Sequence, residues 1–285
     1  MSIDPLQAIG SQVSSGRFNW AARDSMAYNL SVGAGHDPVS PLELQYVMGE
    51  RMKVVPSFAV IAGSCGVQNP DRVPGLNFDM RRMLHGEHEV ELLRPIDAAG
   101  SVRTEGRVVE VYDKGDAALA ILESTSTDEN GDVVFVNRYS LFLRGAGGFG
   151  GPASPDRPKP VRPDREPDAA IKVETLPQQA LLYRLNGDLN PIHADPEAAD
   201  RAGFPRPILH GLATFGITCR AVVNEFLNGD VAAVGKYRAR FASVVYPGET
   251  LRVNVWESGA HLDIEVTVPA RNATVLKFGA MELVG

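Results

Sequence analysis

The sequence predicts an α+β protein built from two copies of one unit, each a long helix wrapped by a curved antiparallel sheet. Three observations predict it. First, residues 208–227 are apolar on nearly every helical face, with Leu209, Leu212, Phe215, Ile217, Val222, Val223, Phe226 and Leu227. Such a helix must be enclosed rather than laid on a surface. Second, "TLRVNVWE" and "LDIEVTV" alternate apolar and polar as half-buried strands do, and "TVLKFGAMELV" closes the chain. Third, the order of features repeats. "AYNLSVGAG" matches "LYRLNGDLN", which sets Tyr28 over Tyr183 and Leu30 over Leu185. "KVVPSFAVIAG" matches "PILHGLATFGI", which sets Pro56 over His210, and Pro95 falls over Pro247. The interval from Tyr28 to Pro56 is 28 residues against 27 from Tyr183 to His210, and the next intervals are 39 and 37. Fixed order at nearly fixed spacing implies duplication of one unit.

The elements follow in order. In the first copy, "RVVEVY", "ALAILEST" and "VVFVNRYSLFL" read as strands after a helix, and residues 53–63 match the stretch that opens the second copy's helix. Residues 144–170, "RGAGGFGGPASPDRPKPVRPDREPDAA", are dense in Gly and Pro and read as an extended linker. They divide the chain into an N-terminal unit, 1–143, and a C-terminal unit, 171–285. In the second copy "DPEAADRAG" reads as a short helix, with Asp195 as N-cap, Pro196 at the first position and Gly203 ending it.

Composition bounds the partners. The chain has 285 residues, a formal charge of −7, 44% hydrophobic and 22% charged residues, and it shows no basic stripe. That is a core-forming composition, and it argues against a nucleic-acid partner. Cys65 and Cys219 are too few for a disulfide framework or a thiolate metal site and fit a reducing compartment. "MSIDPLQAIGSQVSS" lacks the basic-then-apolar pattern of a signal peptide. The apolar run 208–227 contains His210, Arg220, Asn224 and Glu225, which argues against a membrane span. A cytoplasmic protein is expected.

Chemistry concentrates in "YRLNGDLNPIHADPEAADRAGFPRPILHGLATFG". Gly187 and the Asn190-Pro191 pair form turns, so Asp188, Asn190 and His193 sit together on a loop. A carboxylate and an imidazole at this spacing can grip one water as an acid/base pair. Asn190 can orient that water, or merely close an Asx turn. Gly211 falls in the first turn of the buried helix, where free backbone N–H groups and the helix dipole favour a developing oxyanion. His210 either satisfies a buried carbonyl or faces a ligand. Tyr183 is core or support for the site, and Arg184 either contacts a phosphate or lies solvated on the surface. His85 and His88, in "LHGEHEV", sit before a strand in a structural or rim position.

These residues resemble the hydratase 2 motif of the MaoC-like (R)-specific 2-enoyl-CoA hydratases, roughly Y-R-x-x-G-D-x-N-P-x-H-x-D-P followed by G-F-x-x-P-I-L-H-G. The N-terminal half resembles the same group in "YNLSVGAG", "VVPSFAVI", "LHGEHEVELLRP", "YDKG" and "LRGAGGFGG". The resemblance implies a double hotdog fold and reversible addition of water to a trans-2-enoyl-CoA, giving a (3R)-3-hydroxyacyl-CoA. It implies Asp188 and His193 as the water-activating pair, Asn190 as its positioner and the Gly211 N–H as oxyanion donor. Tyr183, Arg184 and His210 are candidate substrate contacts. No metal and no cofactor is implied, since CoA is part of the substrate, and a homodimer is expected by analogy.

The first copy departs from the motif. Gly33 stands where Asp188 does and Pro56 where His210 does, and His36 and Asp37 come later and in reverse order. One active site per chain is therefore expected, with the degenerate unit accommodating the acyl tail. The resemblance is greatest to bacterial hydratases of steroid side-chain degradation, on "LPQQALLYRLNGD" and "YPGETLRVNVW". Three other readings compete: a dehydratase acting on acyl-carrier-protein thioesters, a hotdog thioesterase, and a non-catalytic acyl-thioester-binding subunit of a heteromeric hydratase.

Overall fold

The computed structural model describes residues 3–49, 52–155 and 163–284. It contains two compact units, and neither is a continuous stretch of chain. One comprises Met1–Asn19, Ala62–Leu93 and Ser101–Lys159, and the other Trp20–Ile61, Arg94–Gly100 and Pro160–Gly285. The units thus depart from a linear division at 144–170, because the helical part of the first copy is claimed by the second copy's unit.

In the first unit the strands β1 (Gln12–Trp20), β2 (Met83–Leu92), β3 (Gly100–Asp113), β4 (Ala117–Thr127) and β5 (Val133–Arg144) lie in the order β1-β3-β4-β5-β2. Pairing is antiparallel, for example Leu122 with Tyr139 and Val108 with Leu122. Their inward residues Val108, Val111, Leu122, Tyr139, Leu141 and Leu143 enclose a core with Val73, Leu76 and Phe78. His85 and His88 lie inside β2, not before it, and His88 is 1% exposed. Burial holds the His88 imidazole well below the ordinary histidine range, and its Nε2 faces Asn137 Oδ1 at 3.1 Å.

Where the first copy matches the start of the second copy's helix, the chain forms a 3-10 turn at Pro56–Phe58, four α residues at Ala59–Ala62 and a second 3-10 turn at Ser64–Val67. At Gly66 the second 3-10 turn lies close against β3 and β4: a Cβ there would stand 2.8 Å from both Ser124 Cβ and Thr104 Cγ2.

The second unit has the strands β6 (Ala169–Glu174), β7 (Val234–Phe241), β8 (Thr250–Ser258), β9 (His261–Val268) and β10 (Ala273–Leu283) in the order β7-β10-β9-β8-β6. Two helices matter here, α1 (Ala22–Ser31) and α2 (Gly211–Leu227). α2 is buried continuously from Ala213 to Val223, as its all-round apolarity requires. Phe215 stacks on Tyr237 at 4.1 Å between ring centroids. Asn228 ends the helix in the left-handed conformation at φ 48°, and the Gly229 N–H returns to the Val223 carbonyl. The α+β double hotdog architecture expected from the sequence is thus present, with one long helix rather than two among the described residues.

The Gly/Pro-rich segment is not a free spacer where it is described; residues 156–162 lie outside the described residues. Asp113 accepts hydrogen bonds from the N–H groups of Gly115, Gly148 and Gly150 at 2.9–3.0 Å, which pins the glycine loop to the β3–β4 turn. Those bonds hold the Asp113 carboxyl below its usual range. Further on, Trp256 Nε1 donates to the Arg165 carbonyl and the Glu257 N–H donates to Asp168. Among the described residues, no helix is long and apolar enough to cross a membrane.

Candidate active site

The loop before α2 is built from local caps. The Asp188 carboxylate accepts from the Asn190 N–H at 3.1 Å, and the Asn190 Oδ1 accepts from the Ile192 N–H at 3.2 Å. Asn190 thereby opens the 3-10 turn Pro191–His193. Its carbonyl is committed to that cap, which leaves its amide N–H groups to reach a ligand. Asp195 caps the helix Pro196–Arg201 through the Glu197 N–H at 2.9 Å, and Gly203 follows at φ +84°.

The turn delivers His193 beside the start of α2. His193 Nδ1 lies 2.8 Å from the Ile208 carbonyl oxygen. A carbonyl can only accept, so Nδ1 carries the proton and Nε2 keeps its lone pair. His210 is held likewise, with Nε2–H donating to the backbone carbonyl of Asp188 at 3.1 Å. The two imidazoles stack at 3.6 Å between centroids with 24° between planes. One polar atom from each of Asp188, His193 and His210 lies within 4.8 Å of the others.

Burial lowers the His193 pKa, partly offset by the Ile208 carbonyl and the Asp188 carboxylate. Burial, and then the His193 neighbour, push His210 down to about 4. Both rings are therefore neutral near pH 7, and His193 presents a free basic nitrogen. Each ring spends one nitrogen on a main-chain carbonyl, which leaves one ring nitrogen apiece without a proton.

The helix begins at Gly211, three residues later than the apolar run suggests. Pro207 and the two residues after it stay extended because the Leu209 N–H is taken by the Val245 carbonyl at 2.7 Å and the Ile208 N–H by Ile192 at 3.2 Å. His210 is the N-cap residue, so Gly211 is the first helical residue and its N–H has no intrahelical acceptor. A Cβ at Gly211 would stand 3.2 Å from the Phe241 ring, so the ring closes one side of this N–H. The remaining sequence candidates fall behind the front row. Tyr183 is 1% exposed and packs its ring 4.9 Å from His210. Arg184 is half-buried, with its Nε lacking an acceptor, and its charge helps to depress His210.

Two contributors escaped the sequence. The Ile208 carbonyl, which fixes the His193 tautomer, is a main-chain atom with no side-chain signature. Phe241 ends an ordinary-looking strand. The first unit also holds an open cleft of about 720 Å³ lined by Arg82, Lys114, Arg144, Asp116 and Phe142. Among the described residues none of its three cations is in an ion pair.

The chain matches two family models, the MFE-2 hydratase 2 N-terminal domain over residues 18–145 and the MaoC like domain over residues 159–275. It is 44% identical to the enoyl-CoA hydratase ChsH3 of Mycobacterium tuberculosis over 100% of this chain and 99% of that one. This chain belongs to the MaoC-like hydratase 2 family. A second relative in it is the peroxisomal enoyl-CoA hydratase 2 of Arabidopsis thaliana, 38% identical over 91% of this chain and 89% of that one. Among solved structures, a MaoC-like dehydratase from Phytophthora capsici superposes with a TM-score of 0.88 at 30% identity, over 99% of this chain and 98% of that one.

Proposed function

We propose that this hydratase 2 chain adds water to trans-2-enoyl-CoA and gives (3R)-3-hydroxyacyl-CoA. The observation that carries the reading is the neutral His193, its tautomer fixed by Ile208, beside the Asp188 carboxylate and the opening of α2. Water held between Asp188 and His193 gives up a proton to Nε2 as its oxygen attacks C3. Electron density moves onto the thioester oxygen, which accepts from the Gly211 N–H. Delivery of a proton to C2 then completes the addition, so the elements of water are all accounted for and no redox cofactor enters the balance. General-base help is worth roughly 10²–10⁴-fold, and an oxyanion donor about 3–4 kcal/mol.

CoA as the carrier is supported by the named relatives, which are enoyl-CoA hydratases. We also infer one site per chain, an acyl tail lodged against the degenerate copy, a steroid-like or long fatty acyl group, a homodimer and a cytoplasmic location. The assembled Asp188–His193 pair counts against a non-catalytic subunit. A panel of enoyl-CoA esters from short-chain to steroidal, followed by loss of the conjugated thioester absorbance, tests reaction and acyl class together. Hydration of at least one ester is expected, and inertness toward all of them would refute the reading. Preference for carrier-protein esters would move it to a dehydratase of synthesis, and release of free thiol would indicate a thioesterase.

A further inference from the structure

The mechanism above gives His210 no step, yet the side chain is buried and held on two sides. It is 1% exposed, its Nε2–H holds the Asp188 carbonyl at 3.1 Å, and its ring covers one face of His193 at 3.6 Å. Behind it the rings continue: Tyr183 at 4.9 Å from His210, Tyr28 at 6.1 Å from Tyr183, Phe58 at 5.3 Å from Tyr28 and Trp20 at 5.7 Å from Phe58. Six rings therefore run from α1 and its neighbours to the imidazole that carries the base. Tyr28 is anchored by its hydroxyl on Ser57 Oγ at 2.9 Å. The repeat that matches Tyr28 to Tyr183 thus keeps the ring in a copy that has lost the acid/base residues.

We propose that His210 is a positioning residue, which fixes the Asp188 main chain by its hydrogen bond and shields the His193 face by its stack, with the ring column behind it as the rigid backing. This rests on the hydratase reading only for the activity measured. Side chains in a close-packed interior transmit strain rather than absorb it, and a misplacement of about 1 Å at a reacting group can cost on the order of 10²-fold in rate. The titratable and charged groups around His193 are Asp188 on the same loop, His210 at the N-cap of α2 and Arg184 beside His210.

Three substitutions separate the two contacts. His210→Phe keeps the stack and loses the hydrogen bond. His210→Gln keeps a donor and loses the ring. His210→Ala loses both. Expected for His210→Ala is a fall in kcat of about tenfold or more with KM changed less than about threefold. The acid limb of kcat/KM should also move up toward pH 6.5 as water reaches the uncovered His193 face. In His210→Phe the limb should stay where it is in the wild type. A histidine NMR titration of 15N-labelled protein, without substrate, should show the same pattern at His193. Wild-type kcat in His210→Ala, or equal limb positions in the Ala and Phe variants, would overturn the proposal. If His210→Ala fails to fold, the comparison of Phe, Gln and wild type decides it. An equal NMR titration of His193 in those three, without loss of kcat in Phe or Gln, would overturn it. A wild-type chain that hydrates no enoyl thioester, yet shows the expected NMR pattern, refutes the reaction and leaves the positioning role supported.

Discussion

Main-chain atoms hold Asp188 and His193 in the places proposed for a water-activating pair. The Asn190 N–H steadies the Asp188 carboxylate and the Ile208 carbonyl dictates which His193 nitrogen is basic. Asp188→Asn or His193→Ala is expected to lower kcat by roughly 10²–10⁴-fold while circular dichroism shows an intact fold. The pH profile follows from the same geometry. Burial lowers the His193 pKa, so the neutral base persists below the ordinary histidine value of 6.5. We expect kcat/KM to stay level through pH 6.5 on the acid side and to fall only below it. A fall that begins above pH 7 would contradict the neutral-base assignment. The pair was legible in the sequence because D-x-N-P-x-H places it on one turn. The Ile208 carbonyl was not, since a main-chain acceptor leaves no trace in residue type.

At the scale of elements, α2 and the strands with clean alternation were legible, and those with polar inward faces were not. β2 turns His88 inward and carries Glu87, Glu89 and Glu91 on the other side, so a buried strand looks like a loop. α1 buries Ser25, Tyr28, Asn29 and Ser31, a face with little apolar signal. The start of α2 was misread because apolar residues continue into the extended segment that pairs with Val245. Two predictions belong here. Gly211→Ala presses a methyl group against Phe241, 3.2 Å away. Its kcat should fall about tenfold or more with a small change in KM, read in steady-state assays. On α2, Arg220 meets Glu43 in a buried ion pair at 2.6 Å, and Asn224 shares the same carboxylate. Glu43→Gln leaves the guanidinium without its counter-charge, and urea unfolding should show a loss of about 3–5 kcal/mol. The guanidinium also fills the space beside Gly33, where a Cβ would lie 3.3 Å from it.

For the whole molecule, the duplication was legible from ordered intervals, but the exchange of segments between the units was not. Residues Trp20–Ile61 belong by sequence to the first copy and by packing to the second. No periodicity reports which neighbour a helix will choose. Acid should loosen the fold in a defined window. The folded chain keeps His193 and His210 below the ordinary pKa, so the unfolded chain takes up protons first as the pH falls. Stability is full above pH 6.5 and declines as the pH falls toward the His210 value of about 4. The His210 share is on the order of 3 kcal/mol. Thermal unfolding at pH 7.5 and pH 5 should show the larger part of this loss, about 2 kcal/mol for the interval from 6.5 to 5, reduced in His210→Phe.

The reaction assigned to the Asp188–His193 turn is tested most directly by incubation with a trans-2-enoyl-CoA and chiral analysis of the product, for the wild type beside His193→Ala. A (3R)-3-hydroxyacyl-CoA from the first, with almost none from the second, is the outcome the hydratase 2 reading predicts. A 3S product, or equal turnover by both proteins, would contradict it.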